Sequence, residues 1–154
     1  MTRPLLILIA GPYRSGTDGD PAAIARNLER LEAAAAPLHR LGHVPMIGEW
    51  VALPVLRGLA DAGQGASGAT TAAEGAGTAA DHATDGGAAV TERGPAAEAG
   101  DGDVMYEVAR RLLQHCDGVL RLPGASQGAD TDVAIARERG LPVWFDLADV
   151  PPAA

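Results

Sequence analysis

The sequence predicts an α/β protein: a Rossmann-like, doubly wound parallel sheet of about four to five strands with flavodoxin-like layering. Three observations predict it. Short, continuously apolar runs recur along the chain, as in strands covered on both faces. Segments with apolar residues at helical spacing alternate with them. Two of the runs lead into glycine-containing loops, Gly11-Pro12-Tyr13-Arg14-Ser15-Gly16 and Pro123-Gly124-Ala125-Ser126-Gln127-Gly128, each followed by a helix-like stretch. A loop that leaves the carboxyl end of a strand and opens onto a helix N-terminus is where open α/β sheets bind anions.

Residues 5–10, Leu-Leu-Ile-Leu-Ile-Ala, read as a buried first strand. Over residues 21–41, Ile24, Leu28, Leu31, Ala35 and Leu38 recur at helical spacing behind an Asp20-Pro21 cap and first turn. Pro37 predicts a kink or an early end, and Gly42 closes the segment. Residues 43–47 form a second extended segment, weakened as an interior strand by Pro45. After the Gly48-Glu49-Trp50 loop, residues 51–59 read as a short helix started or broken at Pro54.

Residues 61–100 differ in kind. More than half of them are Ala or Gly, Val90 is their one large aliphatic residue, and six acids face a single Arg. Such a stretch cannot bury enough apolar surface to offset its ordering entropy, so the expectation is a disordered insertion. The alternative, from its abrupt compositional break, is a tract that is not native coding sequence in its original frame. Helical periodicity returns with Val104, Val108, Leu112 and Leu113, followed by a strand over 118–122, a helix over 130–139 ended by Gly140, and a last strand over 141–145.

At 154 residues, the chain fits one domain, residues 1–154, with a core large enough to need no staples. A net charge of −8 excludes a passive binder of long nucleic acid, which needs a basic face. Cys116 is the only cysteine, so no intrachain disulfide and no Cys-x-x-Cys metal motif exists. His115, Cys116 and Asp117 are sequence neighbours that do not converge on one ion, so neither a metal nor another cofactor is expected. The apolar N-terminal run is too short for a membrane span and lacks a secretory cleavage site, giving the expectation of a cytoplasmic protein. None of the four histidines stands in a serine-nucleophile elbow, and each reads as a surface or helix-end residue.

The two loops carry the candidate chemistry. Gly11 and Gly16 allow a tight turn beside a ligand, Arg14 can fork onto a phosphate, and Tyr13 and Ser15 bring hydroxyls. The spacing is neither that of a Walker A loop nor that of a dinucleotide fingerprint. Ser126 and Gly128 precede a helix whose first turns hold Asp130 and Asp132, one of them expected to serve only the helix dipole. Glu49 and Trp50 can complete the pocket, Trp50 by stacking on a base or equally by packing in the core, Glu49 by bonding or protonating the base. Asp103 and Glu107 are candidates for a further carboxylate, and Asn27 points to solvent or to the first loop.

These residues, with Cys116-Asp117-Gly118-Val119-Leu120-Arg121-Leu122 before the second loop and Gly140-Leu141-Pro142-Val143 after it, resemble the nucleoside 2-deoxyribosyltransferase-like superfamily. The nearest likeness is to a small branch related to the nucleoside 5'-monophosphate N-glycosidases, over the first 58 residues and residues 103–146. The resemblance implies a homo-oligomer that cleaves the bond between a base and the anomeric carbon of its sugar. It also implies a helix carboxylate, normally Glu, four residues after the glycine of a Ser-x-Gly motif, acting as nucleophile. Asp132 holds that position here, one methylene shorter, and a displacement of about 1 Å can cost on the order of a hundredfold in rate. Tyr13 would orient this carboxylate, while Ser126, Gly128 and Arg14 would hold a 5'-phosphate. The partner so implied is a small-molecule nucleoside or nucleotide, taken either by an N-glycosidase or deoxyribosyltransferase or by a catalytically weak nucleotide sensor.

Overall fold

The computed structural model describes residues 3–66 and 100–154. Strand β1 (Leu6–Ala10) lies inside a wholly parallel sheet with β2 (Val44–Ile47), β3 (Gly118–Arg121) and β4 (Val143–Trp144), in the order β2-β1-β3-β4. In register, Leu8 faces Met46 on one side and Val119 on the other. Four strands therefore realise the lower of the expected counts. Pro45 is tolerated because β2 is an edge strand, where a missing N–H need not break a ladder.

Successive residues of β1 point to opposite faces, and each face buries its own core. Ile7 and Ile9 pack with Leu31, Leu38, Leu120 and Val150. Leu8 and Ala10 pack with Leu113, Val119, Ala129 and Val133. The first layer comes from α1 (Pro21–Ala33), α2 (Ala35–Arg40) and the short C-terminal 3-10 turn over Leu147–Asp149. The opposite layer is built on α4 (Asp101–Leu113) and α5 (Gln127–Glu138), with α3 (Gly48–Ala66) packed against α4. Each fully buried aliphatic side chain contributes about 1.5–3 kcal/mol, so β1, buried from Ile7 to Ala10, anchors both layers.

Local chemistry explains the helix boundaries. Asp20 caps α1 by accepting from the Ala22 and Ala23 amides, both at 3.1 Å, with Pro21 in the first turn. Pro37 cannot donate back to the preceding turn, so the expected single helix divides at Ala34 and Pro37 sits in the first turn of α2. Helix α3 corrects the expectation of a short helix over 51–59. It begins at Gly48, carries Pro54 inside it and extends to Ala66, so that Asp61–Ala66 of the supposed insertion is helical. The rest of that tract, residues 67–99, lies outside the described residues.

His43 is a second correction. It is not at the surface but 2% exposed, where Nδ1 accepts from the Leu5 amide at 3.2 Å and Nε2 donates to the Pro151 carbonyl at 2.6 Å. The Leu5 N–H requires a bare Nδ1, which fixes the proton on Nε2. One neutral ring thus ties the start of β1 to the C-terminal segment, reinforced by the Ala153 amide on the Leu41 carbonyl at 2.7 Å. His43→Ala leaves a buried donor and a buried acceptor unpaired and is expected to cost about 2–4 kcal/mol. Denaturant unfolding checks this; a loss below about 1 kcal/mol would refute a tethering role.

Candidate functional site

β1 and β3 are neighbours whose outgoing connections part company, the first to α1 on one face and the second to α5 on the other. The crevice outside their carboxyl ends is the topological switch point at which open α/β sheets take ligands. Both glycine-containing loops lie there.

Side chains behind the first loop hold it in shape. Asn27 of α1 donates Nδ2 to the Tyr13 carbonyl at 2.9 Å, which settles its direction toward the loop. Thr17, buried, donates its hydroxyl to the Arg14 carbonyl at 2.6 Å. Gly16 sits at φ +71°, a conformation costly for any residue with a Cβ.

The second loop is held by Arg121, the last residue of β3 and itself buried. Its guanidinium donates to the Leu122 carbonyl, to the Gly124 carbonyl at 2.8 Å and to Asp130 Oδ1 at 2.8 and 3.2 Å. Gly124 is at φ +119°, and a Cβ there would stand 2.7 Å from Pro12 Cγ. The two loops therefore touch, and only glycine allows the approach. Ser126 then caps α5, accepting from the Ala129 amide at 3.3 Å.

These bonds separate the two aspartates. Asp130 belongs to the scaffold, on the Arg121 guanidinium with its own side chain 69% exposed. Asp132, two residues and so about half a turn further into α5, lines a pocket of about 170 Å³. Gly11, Tyr13, Arg14, Ser15, Glu49, Ser126 and Gly128 line the same pocket, with Leu8, Ile9 and Ala10 of β1 as its apolar floor. Burial pushes the Asp132 carboxyl up to about 7, the Glu49 charge pushes it in the same direction, and Arg121 opposes both. Glu49, in the first turn of α3, is likewise raised by burial. Two half-buried carboxylates thus compete for ionisation in one cleft, an arrangement that keeps one of them protonated near neutral pH.

Eight of the residues singled out in the sequence therefore meet in this pocket. Trp50 and Gly16 lie elsewhere. Trp50 points away from the cleft and donates Nε1 to Glu32 Oε1 at 3.0 Å, because its neighbour Glu49 takes the inward side of α3. Gly16 lines a separate groove on the α1 side of the first loop. Tyr13 is in the pocket, its ring packed against the Ile7 and Ile9 core, but its hydroxyl makes no bond to Asp132. Asp103 and Glu107 do not line the cleft, and Glu107 pairs with Arg111 one turn along α4.

Helix α4 supplies the wall that sequence reasoning missed. Met105, Tyr106 and Ala109 line the pocket, and the Tyr106 ring edge lies 3.6 Å from where a Cβ on Gly128 would be. The signal was present as three residues beside the recognised apolar stripe of α4, but the direction they face depends on how α4 packs on α3 and α5. Cys116 is buried with its thiol pushed up to about 11, chiefly by burial, and is core rather than nucleophile. Among the described residues no cluster of three or more His, Cys, Asp or Glu is placed to hold a metal ion, and no helix is long and apolar enough to cross a membrane. No protein-family model, curated protein or solved structure matches this chain.

Proposed function

We propose that the protein cleaves or transfers at the N-glycosidic bond of a nucleoside or nucleoside 5'-monophosphate. The observation that carries this reading is the pair Asp132 and Glu49 in one pocket, with the Asp132 carboxyl at about 7. Breaking a glycosidic bond generates an oxocarbenium-like sugar, and a carboxylate beside the anomeric carbon can trap it while a protonated carboxyl assists the leaving base.

In the reactive form the pair holds one proton, carried by Glu49, and ionised Asp132 attacks the anomeric carbon as the bond to the base nitrogen breaks. The bonding electrons leave with the base, which takes a proton from Glu49. Glu49, now a carboxylate, accepts a proton from the incoming water, or from a second base in the transfer reaction. That nucleophile then displaces Asp132 from the anomeric carbon. Ser126, the Gly128 backbone and Arg14 supply the polar side of the cleft for the sugar or its 5'-phosphate. Tyr106 and Met105 supply an apolar wall suited to the base, the role for which Trp50 is misplaced. The resemblance to the nucleoside 2-deoxyribosyltransferase-like superfamily supports the same assignment.

A second reading, a nucleotide sensor with little turnover, draws on the short Asp132 side chain and the absent Tyr13 bond. The apolar stripe Val51, Val55 and Leu59, exposed along α3, supports assembly as a homo-oligomer in either case. The test is release of free base from a panel of ribo- and deoxyribonucleosides and their 5'-monophosphates. Turnover selects the enzyme, saturable binding without turnover the sensor, and neither one removes the assignment.

A further inference from the structure

A second cavity adjoins the first. On the α1 side of the two loops runs an open groove of about 590 Å³, larger than the 170 Å³ of the pocket. Ser15 and Ser126 line both cavities, so the groove begins where the polar side of the pocket ends. Arg26 and Arg30, one turn apart on α1, stand along it, with Asn27 between them and Gln127 opposite.

Two arginines on one groove are notable in a chain of net charge −8, whose surface as a whole repels anions. Arg26 pairs with Asp20 at 3.9 Å, with side chains 66% and 54% exposed. A pair this long and this open is readily exchanged for a phosphate, which a guanidinium can grip with two parallel bonds. Asn27, whose amide is already committed to the Tyr13 carbonyl, keeps α1 fixed against the loop. The contact of Pro12 with Gly124 joins the two loops beside the groove.

We propose that the groove is a subsite for a second anionic group, so that the ligand is a nucleotide carrying a pyrophosphate rather than a single phosphate. Resting on the nucleoside reading of the pocket, the geometry runs as follows. The base and sugar lie against Tyr106 and Asp132, the first phosphate passes between Ser15 and Ser126, and the second reaches Arg26 and Arg30.

Calorimetry on the full chain tests this with adenosine, guanosine, cytidine and thymidine 5'-monophosphates, the matching 5'-diphosphates and inorganic pyrophosphate, for wild type and for Arg26→Gln/Arg30→Gln. The wild type is expected to bind a 5'-diphosphate at least about tenfold more tightly than its monophosphate, the worth of one charge-assisted contact. The double variant is expected to lose that advantage, and pyrophosphate binding with it, while monophosphate affinity stays within about twofold. Equal affinity of mono- and diphosphates in the wild type, or an advantage that survives in the double variant, overturns the subsite. Pyrophosphate bound by the wild type alone, with no nucleotide bound, supports the groove and removes the nucleoside reading; base release from monophosphates without a diphosphate advantage does the reverse.

Discussion

Asp132→Asn is expected to abolish base release, by at least about a thousandfold, while making the protein more stable above pH 7. The two effects have one origin. In the folded protein the Asp132 carboxyl titrates at about 7, against 3.8 for its ordinary value. Folding therefore favours the protonated form, and the wild type loses stability as pH rises from about 4 through 7, beyond which the loss is complete. A pKa unit corresponds to about 1.4 kcal/mol, and partial solvent screening of the carboxylate leaves on the order of 2–3 kcal/mol. The amide carries no charge, so the variant is expected to match the wild type near pH 4 and to melt about 5–10 °C higher at pH 8. Thermal melts across pH check the sign: a variant less stable than the wild type at pH 8 would show that the ionised carboxylate is welcome in the pocket.

Catalysis should follow the same titration. Attack requires an ionised Asp132 and a protonated Glu49, so the active form is the singly protonated pair, and kcat/KM is expected to fall as pH rises through a limb near 7, where the pair loses its last proton. Glu49→Gln removes both the proton donor and a charge that raises the Asp132 carboxyl, so the falling limb near 7 is expected to disappear while the maximal rate falls. A limb that stays in place would mean that the two groups do not share the cleft electrostatically.

The second large effect is expected at Arg121. Its guanidinium donates to the Leu122 and Gly124 carbonyls and to Asp130, all from a buried position at the end of β3. Arg121→Met keeps the bulk but orphans those carbonyls and frees the loop that presents Ser126, at an expected cost of about 2–4 kcal/mol. Arg121→Lys cannot reproduce the fork and recovers only part of this. Asp130→Asn, at the exposed end of the same contact, should cost less than about 1 kcal/mol. Denaturant unfolding of the three variants separates an arginine that organises the loop from one that merely pairs with Asp130; equal losses in Arg121→Met and Asp130→Asn would favour the latter. Because Arg121 also lowers the Asp132 carboxyl, the Met variant should shift the activity limb upward in pH.

Much of the architecture was legible because its causes are local. The continuously apolar run of residues 5–10 points to a strand covered on both faces, and an aspartate placed before a proline announces the helix behind it. Asp20 capping α1 follows from that chemistry. So does the placing of both glycine-containing loops at one end of the sheet, since every strand is parallel. The unexpected lengths of α3 have another cause: packing of α3 on α4 overrides the local cost of Pro54.

The sequence by itself determined the α/β class, the two loops and the set of residues from which a site could be drawn. Only the tertiary structure decided which of them meet. Asp130 turned to Arg121 and Asp132 to the pocket because β3 ends with a buried guanidinium that needs an acceptor. Glu49 rather than Trp50 entered the cleft, and Tyr106 rather than Asp103 formed its wall, because the packing of α3 and α4 set which side of each helix faces inward. His43 was drawn into the core by a C-terminal segment more than a hundred residues away, which offered the carbonyl its ring required. Periodicity gives the face of a helix relative to its own axis; the rotation of that axis against its neighbours is settled by contacts between residues far apart in the chain.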